Sequence, residues 1–144
     1  MFLSSRSKKV LVIGGSSFLG AAFIQKYCGK YDMKYTWYQH PVRFAKVWGY
    51  ELNIENEARM CMLMSELKPD VVVHCAAMSN VVECEKNWQR TYDVNVRATG
   101  NILDLCRENG SRMIFLSTDM VFDGERGGYE EEDQAFPKSR YGRS

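Results

Sequence analysis

Lys9 to Ile13 is a short run of β-branched and leucine side chains that stops at Gly14-Gly15, and from Phe18 the apolar positions shift to helical spacing through Ala22, Phe23 and Tyr27. This reads as strand, tight turn and helix. A strand that runs straight into a helix cannot form a hairpin with its successor; it pairs by crossover, in parallel.

The same alternation continues. Gly29 and Asp32 punctuate the first helix, Lys34 to Tyr38 reads as a second strand, and His40-Pro41 marks a turn. The stretch from Val42 to Gly49 stays open, with Val47 to Leu52 as a short third strand. Asn53 or Asn56 can cap a helix whose apolar positions are Met60, Leu63, Met64 and Leu67, closed by Pro69. Val71 to Cys75 is an unbroken apolar run, the pattern of a strand buried on both faces. One long helix is expected from Trp88 through Val94, Ile102 and Leu105 to Gly110, and then a strand from Met113 to Leu116. The fold class is therefore α/β, an open, doubly wound parallel sheet with helices on both faces. Ligands of such sheets bind beyond the carboxyl ends of the strands. Gly14-Gly15, His74 to Ala77 and Ser117 to Asp119 fall there.

Composition narrows the partners. The 144 residues suffice for one domain, and a net charge of +1 gives no reason to expect nucleic acid or an anionic membrane. Met1 to Ser7 is too short and polar for a signal core, and no apolar stretch is long enough to cross a bilayer, so the expected location is cytoplasmic. Five scattered cysteines without a C-x-x-C indicate neither disulfides nor a metal site. His74 lies inside an apolar strand and reads as a core histidine. Met60, Met62 and Met64 read as core and filler. The acidic run Glu130 to Asp133 reads as a solvated loop.

The turn after the first strand has glycine at 14 and 20 but serine at 17, a partial match to G-x-x-G-x-x-G. Such a loop brings a pyrophosphate to a helix N-terminus, and the Ser17 hydroxyl could donate to it. A plain strand-to-helix turn remains the equal alternative. Past the second strand there is no carboxylate for a ribose; His40 and Arg43 stand there instead, which favours the extra phosphate of NADP over NAD, or else marks a surface loop.

The segments Asp70 to Ala77, Tyr92 to Val96, Phe115 to Gly124 and Tyr141 to Ser144 together resemble the extended short-chain dehydrogenase/reductase superfamily. Within it the chain is similar to dTDP-4-dehydrorhamnose reductases and to the related regulatory beta subunits of methionine adenosyltransferase. The resemblance implies a Rossmann-type cofactor domain in which Gly14, Ser16, Ser17, Phe18, Leu19 and Gly20 wrap the pyrophosphate. Asn53 and Ile54 would lie near the adenine, Ala76, Ala77 and Met78 along the ribose, and Asn95 would organise structure and water near the site. Thr118 and Tyr141 match the catalytic hydroxyl pair; each alone also reads as an ordinary strand-end or packing residue.

The implied activity is reduction of a keto group on a nucleotide-linked deoxysugar. Tyr141 would donate the proton, and Thr118 would hydrogen-bond the oxygen. A phenol with a pKa of about 10 needs nearby positive charge, and the chain stops one residue short of the family's lysine. Members of the family continue into a small carboxyl-terminal substrate domain, so the chain is expected to be a fragment without it, with an unpaired edge at Met113 to Leu116. An epimerase or dehydratase, or a non-catalytic regulatory subunit that binds NADP, would carry the same residues. A homodimer or a regulatory partner is compatible with them.

Overall fold

The computed structural model describes residues 7–144; the expectation about a signal core falls almost wholly on residues outside that range. Five strands, β1 (Lys9–Ile13), β2 (Asp32–Trp37), β3 (Trp48–Glu51), β4 (Val71–His74) and β5 (Arg112–Phe115), form one sheet in the order β3-β2-β1-β4-β5. All pairs are parallel. The helices are α1 (Phe18–Tyr27), α2 (Glu57–Leu67), α3 (Val81–Lys86), α4 (Trp88–Thr91), α5 (Ala98–Asn109) and α6 (Arg140–Arg143). Strand order reverses between β1 and β4, which opens a crevice at their carboxyl ends.

The continuous apolar runs are explained by burial on two faces. Leu11, Ile13 and Val72 pack with Met60, Met64 and Ile102 on one side, while Val10, Val12 and Val73 pack with Ile24, Met33 and Tyr35 on the other. Alternate residues of a strand point to opposite faces, so a central strand needs apolar side chains at every position.

The structure shifts several expected boundaries, those of β3, β4 and β5 by one residue, and decides the open ones. Asn56, not Asn53, caps α2: its Oδ1 accepts from Arg59 N–H at 3.0 Å, whereas Asn53 Oδ1 accepts from Glu55 N–H at 3.2 Å in the turn before. β2 begins at Asp32, two residues early, because its first residues pair with Lys9 and Val10. The long helix expected from Trp88 is interrupted by a π-helical stretch, Tyr92–Arg97. Helix α3 precedes it, capped by Asn80, whose Oδ1 accepts from Glu83 N–H at 3.1 Å.

β5 pairs on one side, with β4, and among the described residues it forms an apolar edge at which Phe115 is 53% exposed.

His74 sits at the end of β4 and is 1% exposed. Its Nε2 lies 3.0 Å from Thr99 Oγ1, and Nδ1 has no hydrogen-bond partner. Burial pushes the imidazole down to about 4, against about 6.5 in an unfolded chain. Between those values the unfolded chain binds a proton that the folded chain refuses, so stability falls as pH drops through the window. At about 1.4 kcal/mol per unit the full loss is on the order of 3 kcal/mol. Urea unfolding between pH 7 and 4.5 should show this decline, and His74→Asn should flatten it; equal slopes in both proteins would remove His74 as its source.

Candidate functional site

The turn between β1 and α1 is built around two glycines. Gly14 has φ +78°, and a Cβ there would stand 2.7 Å from the backbone nitrogen of Ala76. Gly20 lies against the Gly14 carbonyl oxygen so closely that a Cβ would overlap it. Between them Ser17 caps α1, its Oγ accepting from Gly20 N–H at 3.1 Å. That leaves the hydroxyl proton of Ser17 free to donate outward. Gly14 N–H donates to Thr36 Oγ1 at 3.1 Å and Gly15 N–H to the Thr36 carbonyl at 2.8 Å, which ties the turn to the end of β2. The first N–H groups of α1 have no partner within the helix and carry its positive end. Phe18 is 88% exposed and Leu19 is also exposed.

A groove of about 350 Å³ runs from this turn along the strand tips. Gly14, Ser16, Ser17, His40, Asn53, Ile54, Ala76, Ala77 and Met78 all line it. These residues come together from four separate loops, whereas Phe18, Leu19 and Gly20, also expected at the pyrophosphate, do not line the groove. Arg43 does not line it; it is exposed, on a segment folded back along β2 where the Tyr35 phenol donates to the Val42 carbonyl. Burial pushes that phenol up, and the Arg43 charge partly offsets the rise.

Other lining residues were not anticipated from the sequence. Thr36 is 1% exposed, a buried polar side chain at the end of β2. Gln39 lines the groove with φ +65°. Glu55 and Arg90 form an ion pair of 2.8 Å across the rim and both line the groove. They come from different elements, and no local pattern links them.

A second groove, about 240 Å³, is lined by Thr118, Tyr141, Asn95, Phe115, Leu116 and Ser144 together with Ala76 and Ala77. Those two alanines line both, so the grooves adjoin there. Thr118 Oγ1 accepts from Met120 N–H at 3.2 Å and caps a 3₁₀ turn, Asp119–Val121, just after β5. Tyr141 is the second residue of α6, which Ser139 caps by accepting from Gly142 N–H at 3.0 Å. Asn95, in the π-helical stretch, accepts from Met78 N–H at 2.8 Å and donates to the Met78 carbonyl at 3.0 Å and to Ser144 Oγ at 2.9 Å. One side chain therefore joins the wall of the first groove to the helix that carries Tyr141. Such widened turns recur at functional sites.

The Cys75 thiol, half-buried in the first groove, is pushed by burial up to about 11, so it stays protonated at neutral pH. Among the described residues no group of three or more His, Cys, Asp or Glu is placed to hold a metal ion. No helix among them is long and apolar enough to cross a membrane.

The arrangement fits a dinucleotide. Gly14 lets the turn pack directly on Ala76, the groove beside it opens at the start of α1, and it leads to two hydroxyl side chains. Solved structures share the fold. A hypothetical dTDP-4-dehydrorhamnose reductase from Sulfolobus tokodaii superposes with a TM-score of 0.88 at 29% identity, covering 94% of this chain and 48% of that one. UDP-glucose 4-epimerase from Brucella ovis, solved in complex with NAD, gives 0.86 at 26% identity over 95% of this chain and 44% of its own. Among curated proteins, methionine adenosyltransferase 2 subunit beta of Rattus norvegicus is 29% identical over 140 residues, 96% of this chain and 40% of the relative. The chain thus spans less than half the length of each of these relatives. The family model described as RmlD substrate binding domain matches residues 8–144, from the strand before the Gly14 turn to the helix of Tyr141. The chain belongs to that family, among the extended short-chain dehydrogenases/reductases.

Proposed function

We propose that the chain is the dinucleotide-binding part of a reductase that transfers hydride from NADPH or NADH to the keto group of a nucleotide-linked deoxysugar. The observation that carries this is the meeting of the two grooves at Ala76-Ala77, with the glycine turn on one side and Thr118 and Tyr141 on the other. The nicotinamide, when bound, would supply the hydride. Tyr141 would give its phenolic proton to the substrate oxygen, and Thr118 would hydrogen-bond that oxygen as charge develops. Asn95 would hold the two walls in register. Residues 1–144 would form a single NAD(P)-binding unit, and sugar contacts would come from the remaining length seen in the relatives. A preference for NADP rests on His40 at the groove; Arg43 would have to swing inward to share that role.

A second reading is a regulatory subunit that binds the nucleotide without turning it over. It is favoured by Ser17 in the middle of the turn and by a match to the methionine adenosyltransferase beta subunit that spans 96% of this chain and 40% of that subunit. An epimerase would run the same hydride step internally. The complete protein, given NADPH and a dTDP-4-keto-6-deoxysugar, should oxidise NADPH with formation of one new hydroxyl. An isomerised sugar without net oxidation would indicate the epimerase. A protein that binds NADPH, leaves the sugar unchanged and captures a methionine adenosyltransferase catalytic subunit would establish the regulatory reading.

A further inference from the structure

The turn that carries Tyr141 is α6, four residues long. A helix this short has no stability of its own, so its orientation is set by what touches it. At its start Arg140 N–H donates to Glu85 Oε1 at 2.6 Å, and the Arg140 guanidinium donates to the Glu85 carbonyl at 2.8 Å. Just beyond its end, Ser144 Oγ accepts from Asn95 Nδ2 at 2.9 Å. Between these, Gly142 lies directly on the 3₁₀ turn that follows Thr118. A Cβ built there would overlap the Met120 carbonyl oxygen and stand 3.0 Å from the Met120 carbonyl carbon and from Pro137 Cβ.

The first two contacts involve side chains that can adjust. The third is backbone against backbone, with no rotamer to relieve it. Gly142 is not among the glycines with positive φ, so the requirement is close approach rather than conformational freedom.

We infer that Gly142 is the positioning residue for Tyr141: by carrying no side chain it lets α6 seat on the Thr118 turn and sets the separation of the two hydroxyls in the groove they share. An alanine there would push α6 outward by about 1 Å before ordinary van der Waals separation is restored. A misplacement of about 1 Å between reacting groups can cost on the order of 100-fold in rate. The loss would run against helix propensity, since alanine otherwise favours a helix over glycine. The consequence for rate rests on the reductase reading above; the seating itself does not.

The test compares Gly142→Ala with Gly100→Ala in the complete protein, by crystal structure and by kinetics with NADPH and a dTDP-4-keto-6-deoxysugar. Gly100 lies in α5 with nothing within 4 Å of a built Cβ, so its variant should match the parent. Gly142→Ala should show α6 displaced by about 1 Å from the Thr118 turn, kcat lowered about 100-fold, and an unchanged KM for NADPH. A variant in which α6 keeps its place, or one in which α6 moves without loss of kcat, overturns the proposal. So does a variant that fails to fold, because it would assign Gly142 to stability. If the parent oxidises no NADPH, the reductase reading falls and the displacement alone decides the seating.

Discussion

Replacing Tyr141 with phenylalanine should lower ketone reduction by the complete protein by about 10²–10⁴-fold, the range that loss of a positioned proton donor produces. The substitution removes one oxygen and leaves the ring that lines the second groove. The contacts that hold α6, through Glu85, Asn95 and the Met120 backbone, do not involve the phenol and should persist. The loss should therefore appear in kcat, with NADPH affinity unchanged within about twofold, the signature of an interaction made only in the transition state. Thr118→Val should lower kcat less and destabilise the protein slightly, since Thr118 also caps the Asp119–Val121 turn. A Tyr141→Phe protein that keeps its kcat would transfer the proton-donating role to another group.

Gly14→Ala is expected to be the most damaging change to cofactor binding. Two costs coincide at this residue. The backbone is left-handed, which costs a residue with a Cβ about 1–2 kcal/mol, and the new methyl would stand 2.7 Å from the Ala76 backbone nitrogen. Ala76 cannot rotate out of the way, so β1 and β4 must part at the crevice itself. NADPH affinity should fall at least about 100-fold, the equivalent of roughly 3 kcal/mol, with a lower unfolding temperature. Gly29→Ala is a matched control, because Gly29 has open space around it and no positive φ. Wild-type affinity in Gly14→Ala would show that the phosphates do not lie against this turn.

Much of this architecture could be read before any coordinates. The runs at Lys9 to Ile13 and Val71 to His74 are buried on both faces, so their sequences carry an unbroken apolar signal that only a central parallel strand needs. The glycines at 14 and 20 were legible from their spacing around the first turn, and both face backbone that a side chain would strike, as Gly142 does at the other end of the site. The hydroxyls of Thr118 and Tyr141 were matched through family resemblance, and the fold brings them to one groove.

What was missed has physical reasons. Asn53 and Asn56 are both good caps, and only the register of α2 decides between them. The π-helical stretch around Asn95 has the composition of an ordinary helix, and the hydrogen bonds Asn95 makes there to Met78 and Ser144 are tertiary contacts that no local pattern shows. Helix α3, six residues long, is too short for periodicity to show. The Glu55–Arg90 pair is made by tertiary structure alone. Arg43 follows Pro41 in the same loop as His40, yet the chain turns there, with Gln39 in a left-handed conformation, and the two side chains part.

The central claim is that a nicotinamide dinucleotide lies along the strand tips with its phosphates on the Gly14 turn. Calorimetric titration of the complete protein with NADPH and NADH, repeated on Gly14→Ala, tests it most directly. The account predicts one site per chain, tighter for NADPH than for NADH, with binding lost in the variant. Absence of heat with both coenzymes, or equal binding by parent and variant, would contradict it.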